Sequence, residues 1–267
     1  MRKALFFDVD GTLMNAEHRI PDSALDALRR SRAAGNYIFV NSGRTSGLLK
    51  RLMAELPADG FLCGCGTELF FRGERIYSYT VSEEEKRRLK TLQARFGIAC
   101  LLEGRDGTHF QVPESVYRQN PGLRERAERE LGFVEAEGGL AAGDYDGAYP
   151  ISKFCFFGAE SSDIPGVYAC LAGKFDIIDR GGFFYEAVPC GHGKGAAVDR
   201  MLRHLGIERE DAFAFGDSMN DLDMFLHAGH TIAMREHSAG LGPYTEYVTD
   251  SVDADGIRKA MRHFHLV

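Results

Sequence analysis

The sequence predicts an α/β protein: a parallel-sheet domain assembled from both ends of the chain, with a smaller α+β domain inserted between them. Three observations carry this. Apolar runs without polar alternation, such as Ala4-Leu5-Phe6-Phe7 and Tyr37-Ile38-Phe39-Val40, mark strands buried on both faces. Helical patterns alternate with these runs, which predicts a parallel sheet with right-handed crossovers and helices on both faces. The texture changes near Ser82 and returns near Lys194.

The first region reads as a strand over residues 3–8, then a helix opened by Pro21-Asp22-Ser23. Leu25 and Leu28 share one face of that helix, and Gly35 stops it. The strand at Tyr37 ends at Asn41-Ser42-Gly43. A helix through Leu48, Leu49 and Leu52 follows and stops near Pro57, and Phe61-Leu62-Cys63 is a third strand. In the middle, Ser82-Glu83-Glu84-Glu85 is a capping box opening a charged helix that runs to Gly97. Residues 98–112 read as two strands around a turn at Gly104-Arg105-Asp106-Gly107, and residues 123–131 as a charged helix. Strands over 151–157, 175–178 and 183–188 and a helix over 166–172 complete an open antiparallel sheet with helices on one side. The last region gives a helix over 194–205, a strand over 213–215, a helix over 222–225, strands over 231–234 and 247–248, and a helix over 254–263. The division predicted is 1–81 with 187–267 for the discontinuous core, and 82–186 for the insert.

The chain has 267 residues, 44% of them hydrophobic and 27% charged, which suits a globular protein of one large domain or two smaller ones. A formal net charge of −7 argues against nucleic acid or an anionic membrane as partner. It permits an anionic substrate, because a bound cation and a few bases reverse the sign inside one cleft. Asp8 and Asp10 interrupt the N-terminal apolar run too early for a signal peptide. No stretch approaches the ~20 apolar residues of a membrane span. Cys63, Cys65, Cys100, Cys155, Cys170 and Cys190 are dispersed without zinc-ligand spacing, which predicts reduced thiols in a cytoplasmic protein.

Two carboxylate clusters follow apolar strands. Asp8-Val9-Asp10-Gly11-Thr12 follows the first, and Gly216-Asp217-Ser218-Met219-Asn220-Asp221 follows Ala212-Phe213-Ala214-Phe215. Like charges beside a buried strand are costly unless a cation or a reaction needs them. Sites on open parallel sheets form where strand carboxyl ends meet, so both clusters belong at one edge. The chemistry suggested is phosphoryl transfer through an aspartyl-phosphate. Asp8 is the candidate nucleophile. Asp10 is the candidate acid that protonates the leaving alcohol and then takes a proton from water. Mg²⁺ suits oxygen ligands from Asp8, Asp217 and the main-chain carbonyl of Asp10, with Asp221 behind them. Ser42, the Gly43 amide and the Lys194 ammonium are candidate donors to the phosphoryl oxygens, and Asn220 could position Lys194 or Asp8.

Each element alone has a plainer reading. Asp-x-Asp-Gly occurs in turns and calcium loops, but no acidic ligands continue at EF-hand offsets after Gly11. Ser42 alone would be a helix cap and Lys194 alone a surface lysine. Gly191-His192-Gly193-Lys194 is not a P-loop, since Val188 stands where its first glycine belongs and Gly195 replaces Ser or Thr.

Together, Asp8-Val9-Asp10-Gly11-Thr12-Leu13, Asn41-Ser42-Gly43-Arg44, Lys194 and Gly216-Asp217-Ser218-Met219-Asn220-Asp221 resemble the four ordered motifs of the haloacid dehalogenase superfamily. The insertion between the second motif and the lysine resembles its Cof-type sugar-phosphatase branch. The resemblance implies a Rossmann-like core, Mg²⁺, an aspartyl-phosphate and a cap domain that selects a small phosphorylated metabolite. Two departures stand out: Ser-Gly-Arg replaces the frequent Thr-Gly-Arg, and Cys63-Gly64-Cys65-Gly66 stands where Asn-Gly-Ala is common. The competing readings are a phosphomutase using the same groups, and a non-catalytic regulatory protein that binds metal or phosphate. Oligomeric state is not legible.

Overall fold

The structure, a computed structural model, describes residues 2–112, 114–119 and 149–267, with Gly122, Leu123, Glu125, Arg129 and Gly132 between them. The first elements are β1 (Ala4–Phe7), α1 (Asp22–Ala33), β2 (Tyr37–Asn41), α2 (Ser46–Glu55), β3 (Gly60–Cys63), β4 (Glu68–Phe71) and β5 (Glu74–Ser78). Then come α3 (Glu83–Phe96), β6 (Ala99–Gly104), β7 (Gly107–Gln111), α4 (Glu114–Gln119), β8 (Lys153–Phe157), α5 (Ile164–Leu171), β9 (Phe175–Asp179) and β10 (Phe184–Pro189). The last are α6 (Lys194–Leu205), β11 (Ala212–Gly216), α7 (Leu222–Leu226), β12 (His230–Ala233), β13 (Tyr247–Val248) and α8 (Gly256–His263). The chain forms two compact units. One holds Met1–Gly43, Arg51–Ser78 and His192–Val267; the other holds Arg44–Lys50 and Tyr79–Gly191.

The first unit is built on an eight-stranded sheet of order β13-β12-β11-β1-β2-β3-β4-β5. Its strands from β13 to β3 are parallel, as the unalternated apolar runs predict. Phe6 stacks on Phe39 at 5.1 Å between ring centres, and Phe7 stacks on Phe215 at 4.3 Å. One face of the sheet packs Phe6, Phe39 and Leu62 against Ala197, Val198 and Met201 of α6 and Met224 and Phe225 of α7. Leu5, Phe7, Ile38 and Val40 point the other way along the pleat and are also buried. α1 packs on α8 and β2.

The purely parallel expectation needs correction at one edge, where β4 and β5 add an antiparallel hairpin. Its two-residue loop is Arg72-Gly73, with φ of +50° and +84°. That is the left-handed pairing which matches strand twist in tight hairpins. Arg72 lacks the Asn or Asp that announces such a turn, so the hairpin was hidden in the sequence.

The second unit carries a five-stranded sheet of order β7-β6-β8-β10-β9, antiparallel throughout. Ser82 caps α3: its hydroxyl accepts from the Glu85 amide while the Glu85 carboxylate accepts from the Ser82 amide, and Gly97 closes the helix in a left-handed conformation. Leu89, Leu92 and Phe96 of α3 and Val167 and Leu171 of α5 cover Leu102, Phe154 and Phe156. On the opposite face Val116 of α4 packs with Leu101, Cys155 and Phe157, so helices do not keep to one side as expected. The helix predicted over 123–131 lies largely outside the described residues.

That second face also buries three charged groups. Lys153 bonds Glu186 and lies 3.3 Å from Glu103, and the Cys155 thiol donates to Glu103 at 3.0 Å. Among the described residues no helix is long and apolar enough to cross a membrane.

Candidate active site

Parallel pairing of β1 with β11 sets Phe7 beside Phe215, and the Asp8 amide continues the ladder to the Phe215 carbonyl at 3.0 Å. The two acidic loops therefore leave the sheet side by side. The Lys194 ammonium bonds Asp8 Oδ1 at 2.5 Å and Asp221 Oδ1 at 2.6 Å. All three side chains are buried. Asp217 faces the first loop, where the buried Thr12 hydroxyl donates to its Oδ1 at 3.0 Å. Carboxylate oxygens of Asp8, Asp217 and Asp221 lie within 4.8 Å of one another.

Glycines allow this convergence. Gly11 has φ of +83°, and a Cβ there would stand 2.6 Å from Asp217 Oδ2. A Cβ on Gly216 would meet the Asp221 side chain at 2.6 Å.

The electrostatics follow from crowding. Burial, then the charges of Asp221 and Asp217, push the Asp8 carboxyl up to about 8 against the pull of Lys194. Asp217 is pushed up to about 6 by burial and by Asp221, with Thr12 and Lys194 opposing. Burial alone would depress the lysine, but Asp221 and Asp8 outweigh it and hold its ammonium above the ordinary lysine range. Three acids therefore crowd around one ammonium, which bonds two of them. A divalent cation would relieve their repulsion, and an all-oxygen donor set suits a hard cation.

Asp8, Asp217, Asp221 and Lys194 are thus brought together as the sequence suggested. Asp10 follows on the same loop and is solvent-exposed, and its charge contributes to raising Asp217. Ser42 is buried at the carboxyl end of β2, where its amide donates to the Leu62 carbonyl at 2.9 Å and its carbonyl accepts from the Cys65 amide at 3.1 Å. Gly43 follows it, partly buried.

Asn220 is a correction. Its amide oxygen accepts from the Ser218 hydroxyl at 2.6 Å, and it bonds neither Lys194 nor Asp8. Asp221 does that work: one oxygen takes Lys194, and the other accepts from the amides of Asp217 at 3.0 Å and Ser218 at 3.1 Å. The sequence motifs that contain Asn41 and Thr12 assign neither residue a role. Asn41 Nδ2 donates to the Lys194 carbonyl at 2.9 Å and is fully buried, which tethers β2 to the lysine. A buried amide at a strand end was the only signal for it.

A doubly wound sheet with its acids gathered at the carboxyl edge defines an α/β enzyme working at a strand switch point. The chain belongs to the haloacid dehalogenase-like hydrolases, whose family profile matches residues 5–261. It is 27% identical to the 5-amino-6-(5-phospho-D-ribitylamino)uracil phosphatase YwtE of Bacillus subtilis, over 96% of this chain and 95% of the relative. It is 26% identical to an HMP-PP phosphatase of Serratia proteamaculans, over 88% of this chain and 84% of the relative. Among solved structures it resembles the subclass IIB sugar phosphatase BT4131, with a TM-score of 0.79 and 28% identity, over 99% of this chain and all of that one. These similarities place the chain among the phosphatases of the family.

Proposed function

We propose that the protein hydrolyses a small phosphate monoester, a sugar phosphate or a related metabolite, through an aspartyl-phosphate on Asp8, with Mg²⁺ as cofactor. The observation that carries this reading is the single buried ammonium of Lys194 bridging Asp8 and Asp221 beside Asp217. The named relatives act on different small phosphorylated metabolites, which supports the substrate class and leaves the leaving group open.

In this mechanism an ionised Asp8 oxygen attacks phosphorus, and the bond from phosphorus to the ester oxygen breaks. Asp10 gives its proton to the departing alkoxide. It then removes a proton from a water that attacks the aspartyl-phosphate, which frees inorganic phosphate and restores Asp8. Lys194 keeps Asp8 charged against burial and offers its positive charge to the phosphoryl oxygens. The Ser42 hydroxyl and the Gly43 amide serve as further donors. Asp8, Asp217 and the Asp10 carbonyl would hold Mg²⁺, with Asp221 behind them; bound there, the cation supplies the positive charge that lets an anionic nucleophile approach an anionic phosphate. All six cysteines are free thiols, which supports a reducing, cytoplasmic setting.

The test is phosphate release from a panel of phosphorylated metabolites, with Mg²⁺ and with EDTA. Release that needs Mg²⁺ and vanishes in Asp8→Asn is the expected result. Isomerisation outpacing phosphate release would replace the reading with a phosphomutase, and turnover by Asp8→Asn would remove Asp8 as nucleophile.

A further inference from the structure

Lys194 is the first residue of α6, so the direction of its side chain depends on how the start of that helix is held. A helix start leaves amides without intrahelical partners, and a Ser, Thr, Asp or Asn at the cap normally accepts from one of them. The residue at the cap here is Gly193, which has no side chain to offer. The missing acceptor arrives from α7. Asp223 Oδ2 accepts from the Gly195 amide at 2.7 Å, placing its negative charge at the positive end of a 12-residue helix.

The packing is tight enough to exclude other residues. A Cβ on Gly193 would stand 2.3 Å from Asp223 Oδ2, and one on Gly195 would stand 2.4 Å from His227 Cδ2 and 2.5 Å from the Asp223 carbonyl. The two glycines flanking Lys194 therefore match the approach of Asp223 and His227. A second link holds the pair: His227 Nδ1 lies 2.8 Å from Asp199 Oδ2, on the second turn of α6, and its Nε2 lies 3.7 Å from Asp223 Oδ1. α6 is thus fastened at its first turn to α7 and at its second turn to His227, which caps the end of α7. α7 itself begins directly after Asp221, the other partner of Lys194.

We infer that Asp223 is a positioning residue for Lys194, held in place by His227 and Asp199. It replaces the absent cap of α6 and fixes the first helical residue against Asp8 and Asp221. The inference rests on Lys194 serving the reaction as proposed above. Asp223 itself touches neither Asp8 nor Lys194 Nζ, so it acts only through the helix start.

The experiment measures kcat and KM for p-nitrophenyl phosphate with Mg²⁺, and the thermal midpoint, for Asp223→Ala, Asp223→Asn, His227→Ala and Lys194→Met. Asp8→Asn in the same assay tests the underlying reading separately. Asp223→Ala is expected to lower kcat about tenfold with a smaller change in KM, since the preorganised charge at the transferring group is displaced. Asp223→Asn keeps an oxygen acceptor and is expected within about twofold of the starting enzyme. His227→Ala should fall between them. In the Lys194→Met background, Asp223→Ala should cost nothing further, because a residue acting through a lysine has no route left once it is gone. Ser82→Ala, in the second unit, controls for lost stability alone. The inference is overturned if Asp223→Ala turns over like the starting protein, if Asp223→Asn is as slow as Asp223→Ala, or if the loss is equal in both backgrounds. Should Asp223→Ala not fold, His227→Ala decides: unchanged kcat overturns the inference. Full activity in Asp8→Asn or Lys194→Met would instead sink the reading beneath it.

Discussion

Lys153 in one unit and Lys194 in the other are each buried between two carboxylates, and the two arrangements differ in what surrounds them. Lys153 sits within a regular strand, between Glu103 on β6 and Glu186 on β10, neighbours across an antiparallel sheet. Lys194 sits at a helix start, and its partners are Asp8, just past the end of β1, and Asp221, at the end of a short 3-10 turn after β11. The first cluster is framed by ladder hydrogen bonds. The second is framed by glycines that a Cβ would drive into Asp217 and Asp221. Among the described residues, the second has a third carboxylate within ligand distance of the others and the first has none. Ion pairing alone therefore does not mark a reactive site. What marks out the proposed site is surplus negative charge at a strand end, where backbone can approach a ligand.

The largest effect that would break this comparison is at Asp8. Asp8→Asn keeps the shape and removes the proposed nucleophile, so kcat should drop at least about 10³-fold while the protein stays folded. Asp10→Asn should cost about 10²- to 10⁴-fold, the range for a general acid and base, with metal binding largely retained. Phosphate-release kinetics with circular dichroism check both.

The two lysines give the sharpest contrast. Lys194→Met should lower kcat about 10²- to 10³-fold, as loss of a charge at the transferring group does. Lys153→Met leaves Glu103 and Glu186 buried without that counter-charge, which costs about 3–5 kcal/mol of stability. Activity per folded molecule should change little. Denaturant titration beside turnover separates the outcomes, and a stable, inactive Lys153→Met would show that the Lys153 cluster also serves the reaction.

How much of this was readable depended on range. The strands were legible because β1, β2 and β11 are continuous apolar runs, and α3 was legible because its cap is written in four adjacent residues. Asp8, Asp217 and Lys194 were legible as types on predicted strand ends and at a helix start. The partners were not. Nothing local says that Asn41 reaches the Lys194 carbonyl, that Thr12 reaches Asp217, or that Asp221 rather than Asn220 takes the lysine. Those depend on strand order and on a few tenths of an ångström in a loop. The β4–β5 hairpin was missed for a simpler reason: its left-handed Arg72 lies outside the usual turn residues.

The raised carboxyls give a pH test of the metal. Asp8 rises from 3.8 to about 8, so between those values the folded protein binds more protons there than the unfolded chain. Stability contributed by this group therefore falls as pH rises through that window, and Asp217 acts the same way from 3.8 to about 6. A cation binds the ionised carboxylates and competes with those protons. Mg²⁺ should therefore raise the thermal midpoint more at pH 8 than at pH 5.5. Equal shifts at both pH values would show that the cation binds elsewhere.

The smallest effect compares two carboxylates that reach back to a helix start. Glu85 accepts from the Ser82 amide at 3.2 Å, caps α3, and lies 3.8 Å from the Lys174 ammonium. Asp221 accepts from the amides of Asp217 and Ser218, and the same carboxylate also holds Lys194. Ser82→Ala should thus cost about 1 kcal/mol of stability, as loss of a capping hydroxyl does, and leave kcat unchanged. Asp221→Asn should lose turnover well beyond its loss of stability, because the amide no longer carries the charge that orients the ammonium. If the two substitutions cost stability and activity in the same proportion, the Asp221 carboxylate is a cap like Glu85, and Lys194 is aimed by its helix alone.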